Sequence, residues 1–219
     1  MNVSIPARAF FSFAFPCHFR EASPKVDGIL DDWDERFRVP DLMEMEGGKP
    51  FGKVFMAWNR EGLYLAVQVE GKGKFRIDPH KPPSGDCLEV WIDTRDVRDA
   101  RRASRYCHHF RFLPEGGGPK GARPVAAQER IALAREHAAT ADLKAVRAAS
   151  RVERARRRYA MEIALPAEVL TGYDPGVCSR IGFTYLLHDT ALGTQSWSSG
   201  PDLPVAYDPS LWGTAELVS

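Results

Sequence analysis

The stretch KVFMAWNREGLYLAVQVE, residues 53–70, decides the fold of this chain. It opens with the apolar run 54–58 and continues through turn-forming residues at 59–62. It ends with Leu and Val alternating with Tyr, Ala, Gln and Glu. An alternation of period two after a turn that contains Gly is typical of a β-hairpin with one buried face. The stretch therefore predicts two antiparallel strands joined by a four-residue loop.

The same pattern recurs along the rest of the chain. Further strands are predicted at 10–15, 87–93, 106–113, 143–152, 157–165, 181–187 and 213–218. A helix within 126–140 stays open, because good helix formers occur there, and one helical turn is predicted at 166–170. With roughly eight to ten short strands, the sequence predicts an all-β fold, a two-sheet antiparallel β-sandwich of jelly-roll or immunoglobulin-like type. We expect one domain over residues 1–219.

The composition of the chain limits which kinds of molecule it is expected to bind. The chain is 44% hydrophobic and 27% charged, with a net charge of +1, so no strong field attracts nucleic acid or a membrane. No apolar run reaches the length of about 20 residues that a membrane helix needs. Residues 10–15 are aromatic and precede Pro16 instead of a small-residue cleavage site, so we expect a cytoplasmic chain unless a secretion signal precedes it. The oligomeric state stays open.

The four cysteines lie far apart and form no CxxC pair, which argues against a zinc ribbon or a thioredoxin-type site. A chain of this length can bury a large core without covalent links. We therefore expect buried thiols in preference to two disulfides.

Six pieces of sequence resemble carbohydrate-binding module family nine, part of the DOMON-like group of β-sandwiches. They are VDGILDDW (26–33), MAWNREGLYLAV (56–67), GDCLEVWID (85–93), YAMEIALP (159–166), RIGF (180–183) and SLWG (210–213). They occur in the order of that family and cover residues 24–218. The resemblance implies a β-sandwich that binds a sugar or a polysaccharide chain end without catalysis.

The resemblance also implies site residues. Trp197 is similar to one half of an aromatic clamp, Glu89 to a carboxylate that accepts sugar hydroxyls, and Arg111 to a donor on the next strand. Trp91 shares a strand face with Glu89 and joins the candidates. Sugar rings stack their C–H faces on such aromatic rings, while hydroxyls need convergent polar groups. The chain departs from the family at Pro82-Pro83-Ser84, where the second clamp aromatic would stand.

The alternative function is a DOMON-like domain that binds haem or a transition metal. Cys107 and His109 would share a strand face and are the usual soft ligands of such metals. Asp27 and Asp31 could supply oxygens to Ca²⁺, although turn and cap roles explain them as well. Otherwise we expect no cofactor. No catalytic motif occurs, and a non-catalytic binding domain is the prediction.

Overall fold

The computed structural model describes residues 6–78 and 85–219. Within these residues the chain is all-β: 40% of it lies in strands, and no helix reaches seven residues. The strands are β1 Ala14–Phe19, β2 Gly52–Asn59, β3 Gly62–Val69, β4 Cys87–Asp93, β5 Cys107–Gly117, β6 Arg123–Glu129, β7 Arg147–Glu153, β8 Arg158–Pro166, β9 Arg180–Asp189, β10 Gly193–Ser196 and β11 Gly213–Val218. Short 3₁₀ turns connect several of them.

The strands belong to one hydrogen-bonded sheet in the order β6-β5-β4-β9-β11-β1-β2-β3-β8-β7, with β10 added beside β9. This differs from the expected pair of separate antiparallel sheets, because β1 pairs in parallel with both β11 and β2 and joins the two halves. Parallel partners need a long connection, and nearly the whole chain separates β1 from β11.

The two ends of the sheet approach each other, so the sheet nearly closes and has a sandwich-like shape. Ser150 of β7 donates a hydrogen bond to the carbonyl of Pro114 in β5. Arg154 forms an ion pair with Glu115 at the same place. These contacts join β7 and the turn after it, at one end of the strand order, to β5, which is second from the other end.

The interior is filled by the inward-facing residues of the alternating strands. Leu88, Val90 and Ile92 of β4 face Phe110 and Phe112 of β5 in one large apolar cluster. The other residues of β4, at 87, 89, 91 and 93, point to the opposite face. That outer face carries the polar residues that the sequence singles out.

Most of the predicted strands are present, and the differences are local. The hairpin loop has two residues, Arg60 and Glu61, because Asn59 and Gly62 already pair across the strands. Residues 123–129 form a strand that overlaps the possible helix at 126–140, and the predicted helical turn at 166–170 is present as a 3₁₀ turn at Ala167–Val169. The first strand begins at Ala14 instead of residue 10. No helix in the described ranges is long and apolar enough to span a membrane.

Candidate functional site

A row of polar side chains crosses five neighbouring strands on the outer face. Its members are Glu129 of β6, Arg111 of β5, Glu89 of β4, His188 of β9 and Thr194 of β10, and we call them the Glu89 row. Strand register explains the alignment, since Glu89 pairs with Arg111 and His188 pairs with Thr194. The row forms because alternation puts each polar residue on the same side of the sheet.

Hydrogen bonds connect the row without a gap. Glu89 Oε1 accepts from Arg111 Nε at 3.2 Å, and Glu89 Oε2 accepts from His188 Nε2 at 3.0 Å. Arg111 Nη1 donates to Glu129 Oε1 at 2.7 Å. At the other end, His188 Nδ1 lies 3.1 Å from Thr194 Oγ1. The row therefore presents carboxylates, a guanidinium, an imidazole and a hydroxyl in alternation.

Glu89 is the centre of this network. Its Oε1 also accepts from His109 Nε2 at 3.1 Å. Burial raises the pKa of Glu89, but the hydrogen bonds and charges of His109 and His188 outweigh it and hold the pKa well below its ordinary value. Because an ionised carboxylate only accepts hydrogen bonds, both imidazoles carry a proton on Nε2.

A groove of about 110 Å³ runs beside one end of the row. It lies between β5, β6 and the segment 130–140, and its walls include His109, Glu129 and His137. Glu129 is more open than the centre of the row, because 35% of its side chain is exposed against 9% for Glu89. Small polar molecules can reach the row from this side.

No family model matches the chain, and no curated protein matches it. Two solved structures of a family-nine carbohydrate-binding module from Caldicellulosiruptor kristjanssonii do align with it. The glucose complex has a TM-score of 0.63 at 16% identity, covering 94% of this chain and 96% of that one. The cellotriose complex has a TM-score of 0.61 at 15% identity, with coverages of 94% and 93%. A protein from Bacteroides uniformis aligns over 95% of this chain and 100% of its own, with a TM-score of 0.58 at 13% identity.

This chain has a family-nine carbohydrate-binding-module fold.

Within the family-nine fold, Trp197 lies in the core. Its side chain is 1% exposed, and its ring packs edge-on against Phe15, with centroids 5.0 Å apart. The ring also approaches Gly213 so closely that a side chain there would collide with it. Its apolar neighbours are those of the inner cluster, whereas Glu89 faces outward. The structure therefore does not bring Trp197 together with Glu89.

Trp91 lies on the same face as Glu89, as expected, yet its ring is 1% exposed. It stacks on His109 with ring centroids 4.2 Å apart and an interplanar angle of 14°. Leu186 and Trp212 belong to the same cluster and help to cover it. In the family-nine fold Trp91 thus supports the imidazole that holds Glu89, instead of offering an open stacking surface. The departure at Pro82-Pro83-Ser84 lies outside the described residues.

The residues considered as metal ligands have other contacts. His109 binds Glu89, and Cys107 lies near Ser104, where burial raises the pKa of the thiol to about 12. Asp27 forms an ion pair with Lys25, and Asp31 is exposed. Residues 6–78 and 85–219 contain no group of three or more His, Cys, Asp or Glu side chains placed to hold a metal ion.

His188, Glu129 and Thr194 complete the row and are not among the sugar-binding residues that the family resemblance implies. His188 follows the alternating residues of β9, so its outward direction could be read from the strand pattern. Its meeting with Glu89 depends on the pairing of β9 with β4, which joins residues about a hundred positions apart. The four cysteines form no disulfide, and Cys17, Cys87 and Cys107 are buried.

Proposed function

We propose that this protein is a non-catalytic carbohydrate-binding domain that holds a sugar or a polysaccharide chain end at the Glu89 row. The family-nine fold supports the proposal, because structures with this fold are complexes with glucose and cellotriose. The likeness in sequence is low, so the ligand itself must be argued from the residues of this chain.

The observation that carries the proposal is the fixed, ionised carboxylate of Glu89 between three nitrogen donors. A sugar hydroxyl both donates and accepts, so a site for it needs acceptors and donors in adjacent, fixed positions. The row supplies this alternation across neighbouring strands, which lie about 4.8 Å apart. Hydrogen bonds within the row fix each side chain before a ligand arrives, which lowers the entropy cost of binding.

The exposed members of the row make the direct contacts in this proposal. Glu129, with 35% side-chain exposure, and the half-buried Thr194 can meet hydroxyls from the groove side and from β10. Arg111 and Glu89, with side-chain exposures of 11% and 9%, act mainly by holding Glu129 directly and Thr194 through His188. Trp91 and Trp197 are enclosed, so hydrogen bonds contribute more than ring stacking among the described residues.

The proposal contains no chemical step. Glu89 and Asp93 are the acidic residues of one strand face, and residues four apart on a strand are separated by roughly 13 Å. That spacing exceeds the separation that either course of glycoside hydrolysis uses. Asp93 instead accepts from the backbone N–H groups of Arg95 and Val97, which fixes the turn after β4.

The test is isothermal titration of the protein with glucose and cellotriose. Arg111→Met removes the cation that connects Glu89 with Glu129, and the proposal predicts at least tenfold weaker binding, a loss of about 1.4 kcal/mol. Glu216→Gln alters an exposed residue of β11 and is the matched control, with unchanged affinity. Equal affinities of the Arg111→Met variant and the unaltered protein would show that the Glu89 row is not the binding site. If neither glucose nor cellotriose gave a heat of binding, the proposed function itself would be refuted.

A further inference from the structure

A lysine and two aspartates are sealed together inside the fold, apart from the Glu89 row. Lys72 follows β3, Asp86 precedes β4, and Asp189 ends β9. The side chains of all three are 0% exposed. Lys72 Nζ lies 2.5 Å from Asp189 Oδ2 and 2.8 Å from Asp86 Oδ1. One ammonium thus faces two carboxylates without solvent.

Aromatic side chains border the triad, while backbone N–H groups and the Thr190 hydroxyl donate to its carboxylates. The Lys72 ammonium lies 4.9 Å from the centre of the Phe75 ring. The hydroxyl of Tyr159 is buried close by and has no hydrogen-bond partner among the described residues. Taking an ion pair out of water is costly, and good geometry only partly offsets this. A reaction that joins Lys72 and Asp189 as a neutral amide would remove two of the three charges and leave Asp86 with its own N–H and hydroxyl donors.

We propose that Lys72 Nζ and Asp189 Cγ condense into an intramolecular isopeptide bond. The two carboxylates are held differently, and this assigns their roles. Asp189 Oδ1 accepts from the backbone N–H groups of Ala191 at 2.8 Å and Leu192 at 2.9 Å, while Oδ2 faces Lys72. One oxygen is thus stabilised in place, and the other is in position to leave.

Asp86 is held at both oxygens and serves as the proton carrier. Its Oδ1 accepts from the backbone N–H of Thr190 at 3.0 Å and its Oδ2 from that of Arg76 at 2.7 Å. Neither oxygen is placed to leave. Asp86 Oδ1 is, however, within hydrogen-bond distance of Lys72 Nζ, so it can take a proton from the amine and pass it on.

The condensation balances without any further reagent. Lys72 Nζ gives up a proton through Asp86 and attacks Asp189 Cγ, forming the N–C bond. The charge that develops on Oδ1 is stabilised by the N–H groups of Ala191 and Leu192. Oδ2 leaves as water with two protons from the ammonium, and the amide keeps the third. Nothing is oxidised or reduced, and the reaction is favoured because the reacting groups are held close together.

The bond would link the segment after β3 to the end of β9. Residues 72 and 189 are 117 positions apart, and β4 to β8 lie in the loop that the bond closes. Such a link limits the unfolded chain in the way that a disulfide does, and it needs no oxidising compartment.

The experiment is the intact mass of the full chain in denaturant, followed by peptide mapping. The proposal predicts a mass about 18 Da below that of the sequence, the loss of one water, and a branched peptide that contains Lys72 and Asp189. Lys72→Arg, Asp189→Ala and Asp86→Asn should each restore the full mass, while Glu216→Gln keeps the deficit.

A full mass in the unaltered protein would overturn the proposal, and this result needs no variant to fold. A deficit without the branched peptide would overturn it as well, because dehydration of a single aspartate to a succinimide gives the same mass. Hydroxylamine separates the two cases, since it cleaves a succinimide and leaves an isopeptide bond intact. Sugar binding is not part of this test, so its outcome is independent of the proposed function.

Discussion

Replacement of Glu89 by Gln tests the centre of the row while preserving the shape of the side chain. An amide keeps one acceptor oxygen and turns the other position into a donor. That donor must face either His188 or the pair formed by His109 and Arg111, all of which also donate. Removing one partner of a buried ion pair costs about 3–5 kcal/mol. We expect a loss near the lower end, about 3 kcal/mol, because Arg111 keeps its bond to Glu129.

The assay is urea denaturation of the Glu89→Gln variant beside the unaltered protein, with Glu216→Gln as control. The folded pKa of Glu89 is depressed below the ordinary value of 4.5. Its contribution is therefore fully present above pH 4.5 and is lost as the pH falls through the lower folded pKa. The variant should lack this part of the acid dependence. A change of less than about 0.5 kcal/mol, the range of ordinary surface substitutions, would refute the reasoning.

Three further predictions follow from the buried groups. Trp197→Ala should lower the free energy of unfolding in urea by about 3–5 kcal/mol, because it leaves a cavity in the core. Trp197→Phe should keep the saccharide affinity measured by titration. Loss of affinity in the folded Phe variant would show that Trp197 belongs to the binding site. Burial lowers the pKa of His108 from 6.5 to about 4, so unfolding takes up a proton between these pH values. Stability should therefore fall by up to about 3 kcal/mol as the pH drops from 6.5 to 4. A folded His108→Phe variant should lack this part of the pH dependence, and an unchanged dependence would contradict the account. Cys178 is the half-buried cysteine and should be the one that reacts with a thiol reagent in the native protein, while all four react in guanidinium; fast native labelling of Cys17 or Cys107 would contradict the described burial.

Individual strands could be predicted because the alternation of apolar and polar residues is visible in the sequence. The hairpin at 53–70 and the strands around residues 90 and 160 need no long-range information. The position of β1 could not be predicted in this way. Its partners, β11 and β2, are set by tertiary packing, and parallel pairing leaves no turn signal between them.

The loop that contains Trp197 shows a second limit. Gln195 and Ser196 look like residues of an exposed loop, yet both are buried beside Trp197. Gln195 accepts hydrogen bonds from the N–H groups of Phe51 and Gly52 at 2.9 Å and thereby satisfies the edge of β2. A buried polar side chain with all its partners cannot be distinguished from an exposed one by residue type. The sequence therefore favours an exposed position for Trp197, whereas the structure places its side chain in the core.

The candidate site was predictable in part for a similar reason. Glu89 and Arg111 follow from the family resemblance, and the structure pairs them across β4 and β5. His188, Glu129 and Thr194 join them only when β9, β6 and β10 take their places in the sheet. A site that extends across strands is assembled by strand order, and strand order is not a local property.

The measurement that tests the central claim most directly is an NMR titration of the labelled protein with glucose and cellotriose, observing backbone amides together with the histidine and arginine side chains. The account predicts saturable shifts centred on Glu129, His188 and Thr194, with residues of the Trp197 core little changed. Shifts elsewhere on the surface, or no shifts at millimolar saccharide, would contradict it.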